Sequence, residues 1–222
     1  MRTDTTLGQP AQTDKRWDEV RFGGQDDPID QSFSGNERNK WFLNIDQTGD
    51  DSNASRSFTD LSTLSGMDSI SDGRVFAILD FNRDGQSDVV LCNANAPILN
   101  LYQNQIQSNQ QFIAIKFIGG MTTEKQKQSR SARDGYGAKV TLKVNDQMTL
   151  EREFRCGEGF AGQNSDTLIV GLGNEDSIEE IKVRWPSGIT DSIPTVKSGS
   201  LLTLIENGDA DKPDHRIEAY RR

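Results

Sequence analysis

The chain carries the segment DFNRDGQSD at residues 80–88, between two short apolar runs at residues 75–79 and 89–91. Gly85, at position 6 of this segment, allows the sharp turn that a tightly coiled loop needs. Side-chain oxygens at positions 1, 3, 5 and 9 and the backbone carbonyl at position 7 can then converge; these residues are Asp80, Asn82, Asp84, Asp88 and Gln86. Because Ca²⁺ takes about six to eight oxygen ligands in a flexible shell, the pattern predicts a calcium-binding loop.

The residues that flank the loop indicate whether it joins two helices or two β-strands. An EF-hand has a bidentate glutamate at position 12, where this chain has Leu91, and the flanking runs are short and rich in Val and Ile. We therefore expect the loop to join two β-strands. Three carboxylates crowded into one small loop repel one another, so a cation is expected to stiffen it. The alternative is an acidic Asn/Asp/Gly turn in which aspartate happens to recur.

Composition limits the classes of function. The 222 residues carry a formal net charge of −9 and 33% hydrophobic residues, with a mean hydropathy of −0.69, as in a strongly hydrated protein with a real core. Nucleic acid is not an expected partner, because phosphate binding needs a basic face. No window approaches the roughly 18 apolar residues of a membrane span, so we do not expect an integral membrane protein. The first residues lack the apolar part of a signal peptide, which predicts either an intracellular protein or a mature or trimmed form.

Cysteine and histidine offer little chemistry. Cys92 and Cys156 are far apart and form no CxxC motif, and we expect both to be unpaired and buried; a disulfide would require their strands to be neighbours. The only histidine, His215, lies in the polar C-terminal region. The folded body is therefore expected to hold neither a Ser-His-Asp or Cys-His arrangement nor a zinc cluster.

The rest of the chain predicts strands. Residues 138–144 alternate between apolar and polar side chains, and residues 148–154 continue the apolar face after a turn at Asn145-Asp146. Further strands are predicted at residues 41–45, 98–102, 112–118, 168–170, 181–185, 189–196 and 201–205, and residues 57–61 are predicted to form a short strand or a turn. No segment shows a long apolar period of 3.6 residues, so the chain is predicted to be all-β.

Four motifs in the second half occur in an order that resembles the ASPIC/UnbV domain. They are RDGYGAKV at residues 133–140, RCGEGF at 155–160, LG at 172–173 and IKVRWPSG at 181–188. Upstream, segment 80–88 and its flanking strands resemble one FG-GAP/VCBS repeat, the unit of integrin-type β-propellers in which such loops bind calcium. Together the resemblance covers about residues 36–206.

The pattern of residues and this resemblance together predict four parts: an irregular N-terminal arm (1–40), an FG-GAP-like calcium-binding β unit (41–110), a C-terminal antiparallel β-sandwich-like ASPIC/UnbV domain (111–206) and a polar, frayed tail (207–222). Trp17 and Phe22 are expected to pin the arm to the body; the arm, which also carries Phe33, either folds back over the sheet edges of its own chain or lies along another subunit. Relatives in the family, which is named for cartilage acidic protein and for UnbV, are largely extracytoplasmic and have no established catalytic residues. The resemblance therefore implies an extracytoplasmic, non-catalytic protein. The chain departs from the family in having one clear repeat, and in having Cys156 where small residues are usual.

Individual motif residues have structural explanations. Glu158, between two glycines, is either a ligand-facing carboxylate or a solvated loop acid. Trp185 is expected in the core, and Arg133 with Asp134 is expected to fix a turn. Turns or bulges are predicted at Gly135, Gly137, Gly157 and Gly159.

Three functions agree with these features. The first, which we favour, is a non-catalytic, calcium-stabilised β module that binds a protein or glycan. The second is an accessory subunit of a larger assembly that docks through its N-terminal arm. The third is a hydrolase that uses a pair among the 34 acidic residues, since carboxylate acid/base chemistry needs no histidine.

Overall fold

The computed structural model describes residues 38–45, 57–106, 108–121, 130–206 and 214–220. Within these ranges the chain is almost entirely β-structure, which confirms the predicted all-β fold. The described strands are β1 (Phe42–Ile45), β2 (Ser57–Asp60), β3 (Gly73–Leu79), β4 (Asp88–Asn93), β5 (Leu99–Tyr102), β6 (Gln111–Ile118), β7 (Lys139–Lys143), β8 (Thr149–Glu153), β9 (Thr167–Gly173), β10 (Ser177–Ile178), β11 (Glu180–Arg184), β12 (Thr190–Ile193), β13 (Val196–Lys197), β14 (Ser200–Ile205) and β15 (Asp214–Ala219). The one helix in the described ranges is a single turn, α1 (Ser62–Ser65), so nothing in them is a helix long and apolar enough to span a membrane.

The chain forms two compact units. The first contains Met1–Arg74 and Leu91–Asn100, and the second contains Val75–Val90 and Leu101–Arg222. Strands β3, β4 and β5 are hydrogen-bonded in that order. Segment 80–88 therefore belongs to the second unit.

Two four-stranded sheets form a β-sandwich in the second unit. Their strand orders are β12-β11-β7-β8 and β15-β14-β6-β9. Neighbouring strands are antiparallel except β14 and β6, which run parallel, so the predicted antiparallel sandwich contains one parallel pair. Both sheets contribute to one core, in which Ile115 on β6, Leu142 on β7 and Val183 on β11 are fully buried.

The hairpin of β7 and β8 forms as its alternating sequence predicts. Its register runs from Lys139↔Glu153 to Lys143↔Thr149. The alternating apolar positions Ala138, Val140, Leu142 and Val144 are all buried, because successive side chains of a strand point to opposite faces.

Strand β6 is buried on both faces, which explains its continuous apolar run. Ile113, Ile115 and Phe117 face the sandwich core. Phe112 and Ala114 face the other way and form a second cluster with Tyr220. The outer face of β6 is therefore available as a platform for segment 80–88.

In the first unit, β1 and β2 form an antiparallel pair from Phe42↔Asp60 to Ile45↔Ser57. Asp60 fixes the following turn, because it accepts hydrogen bonds from the hydroxyl and backbone N–H of Ser62. These bonds and Lys40 lower the pKa of Asp60 to about 2. The predicted arm lies outside the described residues except for residues 38–40, and so do its aromatic residues.

The end of the chain differs from the prediction. Residues 214–219, predicted as part of a frayed tail, form strand β15, which pairs with β14 from Ser200↔Ala219 to Ile205↔Asp214. Backbone pairing at a sheet edge does not require apolar side chains, and charged residues are common there. The expectation of fraying is therefore wrong for this segment.

The cysteines follow the prediction in part. Cys92 and Cys156 are both free thiols, as expected, but each is partly exposed rather than buried. Cys156 follows β8 at a turn, where its sulfur accepts a hydrogen bond from Gln163 Nε2 at 3.0 Å. A turn gives this thiol less cover than a strand interior would.

Candidate functional site

Segment 80–88 joins β3 to β4, so its predicted strand setting is correct. The loop coils around the first aspartate: Asp80 Oδ1 accepts from the Asp84 N–H at 3.1 Å, and Asp80 Oδ2 accepts from the Gly85 N–H at 2.8 Å. Arg83 and Gly85 adopt positive φ angles of 58° and 88°, which the tight coil requires.

Asn82, Asp84 and Gln86 join the same coil. Asn82 Oδ1 accepts from the Asp84 N–H at 3.2 Å, and Asn82 Nδ2 donates to Asp84 Oδ2 at 2.8 Å. Asp84 Oδ1 accepts from the Gln86 N–H at 2.8 Å. Three of the predicted ligand side chains, those of Asp80, Asn82 and Asp84, are thus linked by hydrogen bonds within the loop, whereas Gln86 joins them through its N–H and not through the predicted carbonyl.

Asp88 has a structural role, as a hydrogen-bond acceptor for two backbone N–H groups, that the sequence pattern does not predict. Its side chain is almost fully buried, with 1% exposed. Oδ2 accepts from the Phe81 N–H at 2.8 Å, and Oδ1 accepts from the Asn104 N–H at 2.7 Å. Asp88 therefore closes the loop and holds the segment that follows β5.

The donor set is chemically suited to a hard cation. All predicted ligand atoms are oxygens, and an oxygen that accepts one N–H keeps a second lone pair. In the described part of the chain, no three His, Cys, Asp or Glu side chains lie together as they do around a bound metal. The site therefore depends on the Asn82 amide oxygen and the Gln86 carbonyl beside the carboxylates.

The electrostatics of the loop favour a positive charge. Burial raises the pKa of Asp80, and the nearby Asp84 charge raises it further, against the opposing hydrogen bonds from Gly85 and Asp84 N–H. The ionised carboxylate is thus held where it is poorly solvated. A bound cation would offset the free-energy cost of keeping this carboxylate ionised.

The loop rests on the outer face of β6. A Cβ atom added to Gly85 would lie 2.2 Å from the Phe112 ring, so only glycine fits at this position. Tyr220 packs edge-on against Phe112, with ring centroids 5.7 Å apart, and burial together with the nearby Asp80 charge raises the pKa of Tyr220 to about 12. The Arg83 guanidinium carbon lies 5.9 Å from the Tyr220 ring centroid.

A small cleft of about 160 Å³ lies beside Asp80. Glu153, Arg155 and Glu158 contribute charged side chains to its lining, and Asn164 Oδ1 accepts from the Ile78 N–H at 3.0 Å. Pockets for small organic ligands usually measure about 300–1,000 Å³. The cleft is too small for such a ligand, and Glu158 lies exposed at its edge.

The predicted motif residues are largely structural. Trp185 is buried, with 1% exposed, and its Nε1 donates to Asp191 Oδ2 at 2.7 Å, which confirms its place in the core. Arg133 pairs with the neighbouring Asp134 at 2.9 Å. Three of the four glycines fit tight backbone geometry: Gly135 and Gly137 have positive φ, and a Cβ on Gly157 would lie 2.1 Å from the Gly162 carbonyl oxygen, whereas Gly159 faces open space.

Glu206 is the main buried carboxylate that the sequence analysis missed. It is 3% exposed, and Oε2 accepts from the backbone N–H groups of Gly120 at 2.7 Å and Ser131 at 2.8 Å. Oε1 accepts from the hydroxyls of Ser131 at 3.1 Å and Ser187. Burial alone would raise the pKa of Glu206, but these hydrogen bonds outweigh it and lower the pKa.

This network explains the WPSG motif. Ser187 holds Glu206, and the Ser187 N–H donates in turn to Ser131 Oγ at 3.2 Å. The turn after β11 and the segment before β7 are thereby tied to the end of β14. The alternation along β14 could have indicated that Glu206 is buried. Ser200, Leu202 and Leu204 stand at alternate positions and are buried, and Glu206 is the next position in that series.

Comparison with known families agrees with this architecture. Residues 128–211 match the family model described as ASPIC and UnbV. An ASPIC/UnbV domain is therefore present in this part of the chain, as its motifs predicted. The matched region contains β7 to β14 and the WPSG motif, whereas β6 and segment 80–88 lie upstream of it. No curated protein matches the chain.

Proposed function

We propose that this protein is a non-catalytic β module that binds a protein partner, and that its segment 80–88, as part of an FG-GAP/VCBS-type repeat, binds calcium. The observation that carries the proposal is the coil around Asp80, in which side-chain oxygens of Asp80, Asn82 and Asp84 are held close together by hydrogen bonds from N–H groups of the loop. Calcium would bind through Asp80, Asn82, Asp84, the Gln86 carbonyl and Asp88. Its role is to offset carboxylate repulsion and to fix the loop on β6.

The partner-binding part of the proposal is supported by the β1–β2 pair. Phe42 is about half exposed and Phe58 is 63% exposed, and both lie on one face of the pair, since Phe58 is opposite Asn44, two residues from Phe42. A two-stranded sheet is marginally stable alone, and neighbouring exposed apolar side chains are typical of interaction surfaces. A protein that adds apolar contacts there would stabilise the pair. The proposal also includes an extracytoplasmic location, which rests on the resemblance alone.

Calcium binding is tested by thermal unfolding in calcium and in excess chelator. A ligand that binds only the native state adds about 2.7 kcal/mol at a hundredfold excess over Kd. For a chain of this size, 1 kcal/mol corresponds to about 2–4 °C, so the midpoint should rise by about 5–10 °C. Asp84→Asn should abolish most of the rise, because it removes one ligand charge while leaving an acceptor for the Gln86 N–H.

The matched control is Asp146→Asn. Asp146 lies in the exposed turn between β7 and β8 and pairs with Lys143 at 3.2 Å. This variant should keep the full calcium response. Coincident midpoints of the wild type with and without calcium would refute calcium binding.

Partner binding is tested by affinity purification from the native host, followed by mass spectrometry. Phe58→Ser should lose the specific partner, whereas Phe160→Ser should retain it, because Phe160 is 87% exposed on a loop of the second unit. Equal recovery with both variants would remove the β1–β2 pair from the binding surface. Binding to a glycan array without a protein partner would replace the protein by a glycan.

A further inference from the structure

Strand β15 leaves one edge of its sheet open. The strand order is β15-β14-β6-β9, so among the described strands β14 pairs with one side of β15 and no strand pairs with the other. Ile217 on β15 is 48% exposed, although it lies opposite the buried Leu202 and shares the core face of the sheet with it. An open edge of this kind can pair with a further strand.

The pairing with β14 determines which backbone groups lie on the open edge. The Tyr220 N–H donates to the Gly199 carbonyl at 3.1 Å, and these two residues continue the register of β14 and β15. Hydrogen-bonded and non-hydrogen-bonded residue pairs alternate along antiparallel strands. The N–H and C=O groups of Ala219, Ile217 and His215 therefore point away from β14, toward the open edge.

Charge selects one way in which this edge can pair with a second copy of itself. Hydrogen-bonded pairs must join outward-facing residues, so an antiparallel pairing with more than one such pair has its two-fold axis at Arg216, Ile217 or Glu218. An axis at Arg216 or Glu218 would set that charged residue opposite its own copy, which is destabilising. An axis at Ile217 instead sets each Arg216 opposite Glu218 of the second copy. It also pairs all the outward-facing residues of β15.

Arg216 and Glu218 are suited to this pairing. Both side chains are exposed, and their register partners on β14 are the uncharged Thr203 and Leu201. In the part of the chain that the structure describes, neither charge belongs to an ion pair. The open edge thus carries both halves of a cross-strand ion pair that a second copy would complete.

We propose that β15 pairs antiparallel with β15 of a second copy, about a two-fold axis at Ile217, so that the two sheets of a homodimer become one continuous sheet. The interface is isologous, and it covers the two exposed Ile217 side chains with each other. One pair of short strands buries much less than the roughly 1,600 Å² of a standard stable interface, so the dimer is weak and concentration-dependent. This inference rests neither on calcium binding nor on the surface of β1 and β2.

The test is sedimentation velocity of the full chain from micromolar to millimolar concentration. It compares wild type, Arg216→Glu, Glu218→Arg and the double variant Arg216→Glu/Glu218→Arg. Each single change sets like charges opposite each other at two places, so the Kd of the dimer should rise about ten- to hundredfold. The double variant restores opposite charges and should recover the wild-type Kd.

Two controls isolate charge complementarity. An equimolar mixture of Arg216→Glu and Glu218→Arg should form a heterodimer, because one chain then has two acids where the other has two bases. Glu151→Arg makes the same change of charge on β8, where Glu151 is exposed on an edge strand of the other sheet. This variant should dimerise with the wild-type Kd.

Hydrogen exchange of single amides, followed by NMR, places the contact on β15. In the concentrated wild type, the N–H groups of Ile217 and Ala219 should exchange more slowly than in Glu218→Arg. The Arg216 N–H points toward β14 and should be protected in both proteins, which also shows that β15 stays folded in the variant.

A wild type that remains monomeric at millimolar concentration would overturn the proposal. So would a dimer with the same Kd in wild type and in both single variants, because the contact would then lie elsewhere. Weakened single variants without recovery in the double variant and in the mixture would also overturn it, since charge complementarity would not be the cause.

Discussion

Replacing Glu206 by glutamine tests whether the buried carboxylate network stabilises the sandwich. The carboxylate receives four hydrogen bonds, two from backbone N–H groups and two from serine hydroxyls. A glutamine carbonyl can still accept from the N–H groups of Gly120 and Ser131. Its amide can donate to the two hydroxyls, which have lone pairs free to accept.

The expected loss follows from the change in bond type. Hydrogen bonds to a charged group contribute about 1.5–3 kcal/mol, and neutral ones about 0.5–1.5 kcal/mol. Two weakened backbone bonds therefore cost about 2 kcal/mol at neutral pH, or about 4–8 °C in the unfolding midpoint for a chain of this size. Glu206→Leu should cost more, about 2–6 kcal/mol, because both N–H groups then lose their acceptor in a buried site.

The pH dependence separates this account from simple repacking. The pKa of folded Glu206 is lowered from its ordinary value of 4.5, so its contribution is fully present above that value and is lost as the pH falls through the lowered folded value. The gap between wild type and Glu206→Gln should accordingly shrink in acid. Thermal unfolding followed by circular dichroism from neutral to acidic pH measures this gap. Equal midpoints at pH 7, or a gap that does not change with pH, would refute the reasoning.

Two further predictions concern the backbone and the thiols. Gly135 and Gly199 have similar positive φ angles of 67° and 70°, but a Cβ on Gly135 would lie 2.6 Å from Phe117 Cβ, whereas Gly199 has open space. Gly199→Ala should lower the free energy of unfolding by about 1 kcal/mol, because of the backbone conformation alone. Gly135→Ala should lower it by about 2–4 kcal/mol, because overpacking against Phe117 is added. Equal losses in denaturant unfolding would show that the contact with Phe117 is unimportant. Cys92 and Cys156 are free and partly exposed. Alkylation without reductant should therefore add two alkyl groups in denaturant, and it should also proceed on the native protein. The intact mass measures both reactions, and a protein that takes up no alkyl group before reduction would contain a disulfide.

Local patterns were sufficient to predict most of the strands and much of the core. The alternation at residues 138–144 identified β7 and its buried face, because the side-chain period of a strand depends only on neighbouring residues. The coiled shape of segment 80–88 was also local, since the Asp80 and Asn82 side chains bond to backbone groups two to five residues ahead.

Contacts between distant segments could not be predicted in this way. Arg83 and Tyr220, whose side chains meet, lie near opposite ends of the second unit's sequence, and no periodicity links them. Strand β15 was missed because its residues are mostly polar, and its pairing with β14 depends on backbone groups. Asp88 shows a related ambiguity: a carboxylate in an Asx-rich loop can bind a cation or accept N–H groups, and both uses need the same residue at the same position.

The contacts of Asp88 and Tyr220 change what calcium binding would mean for this fold. An isolated loop would gain only local order from a cation. Here Asp88 holds the Asn104 backbone, the Arg83 guanidinium carbon lies 5.9 Å from the ring centroid of Tyr220, which follows β15, and Gly85 lies on Phe112 of β6. Three separate parts of the second unit therefore meet at one loop. Because these contacts exist only in the folded chain, the free energy of calcium binding would be added to the stability of the sandwich and not to the loop alone.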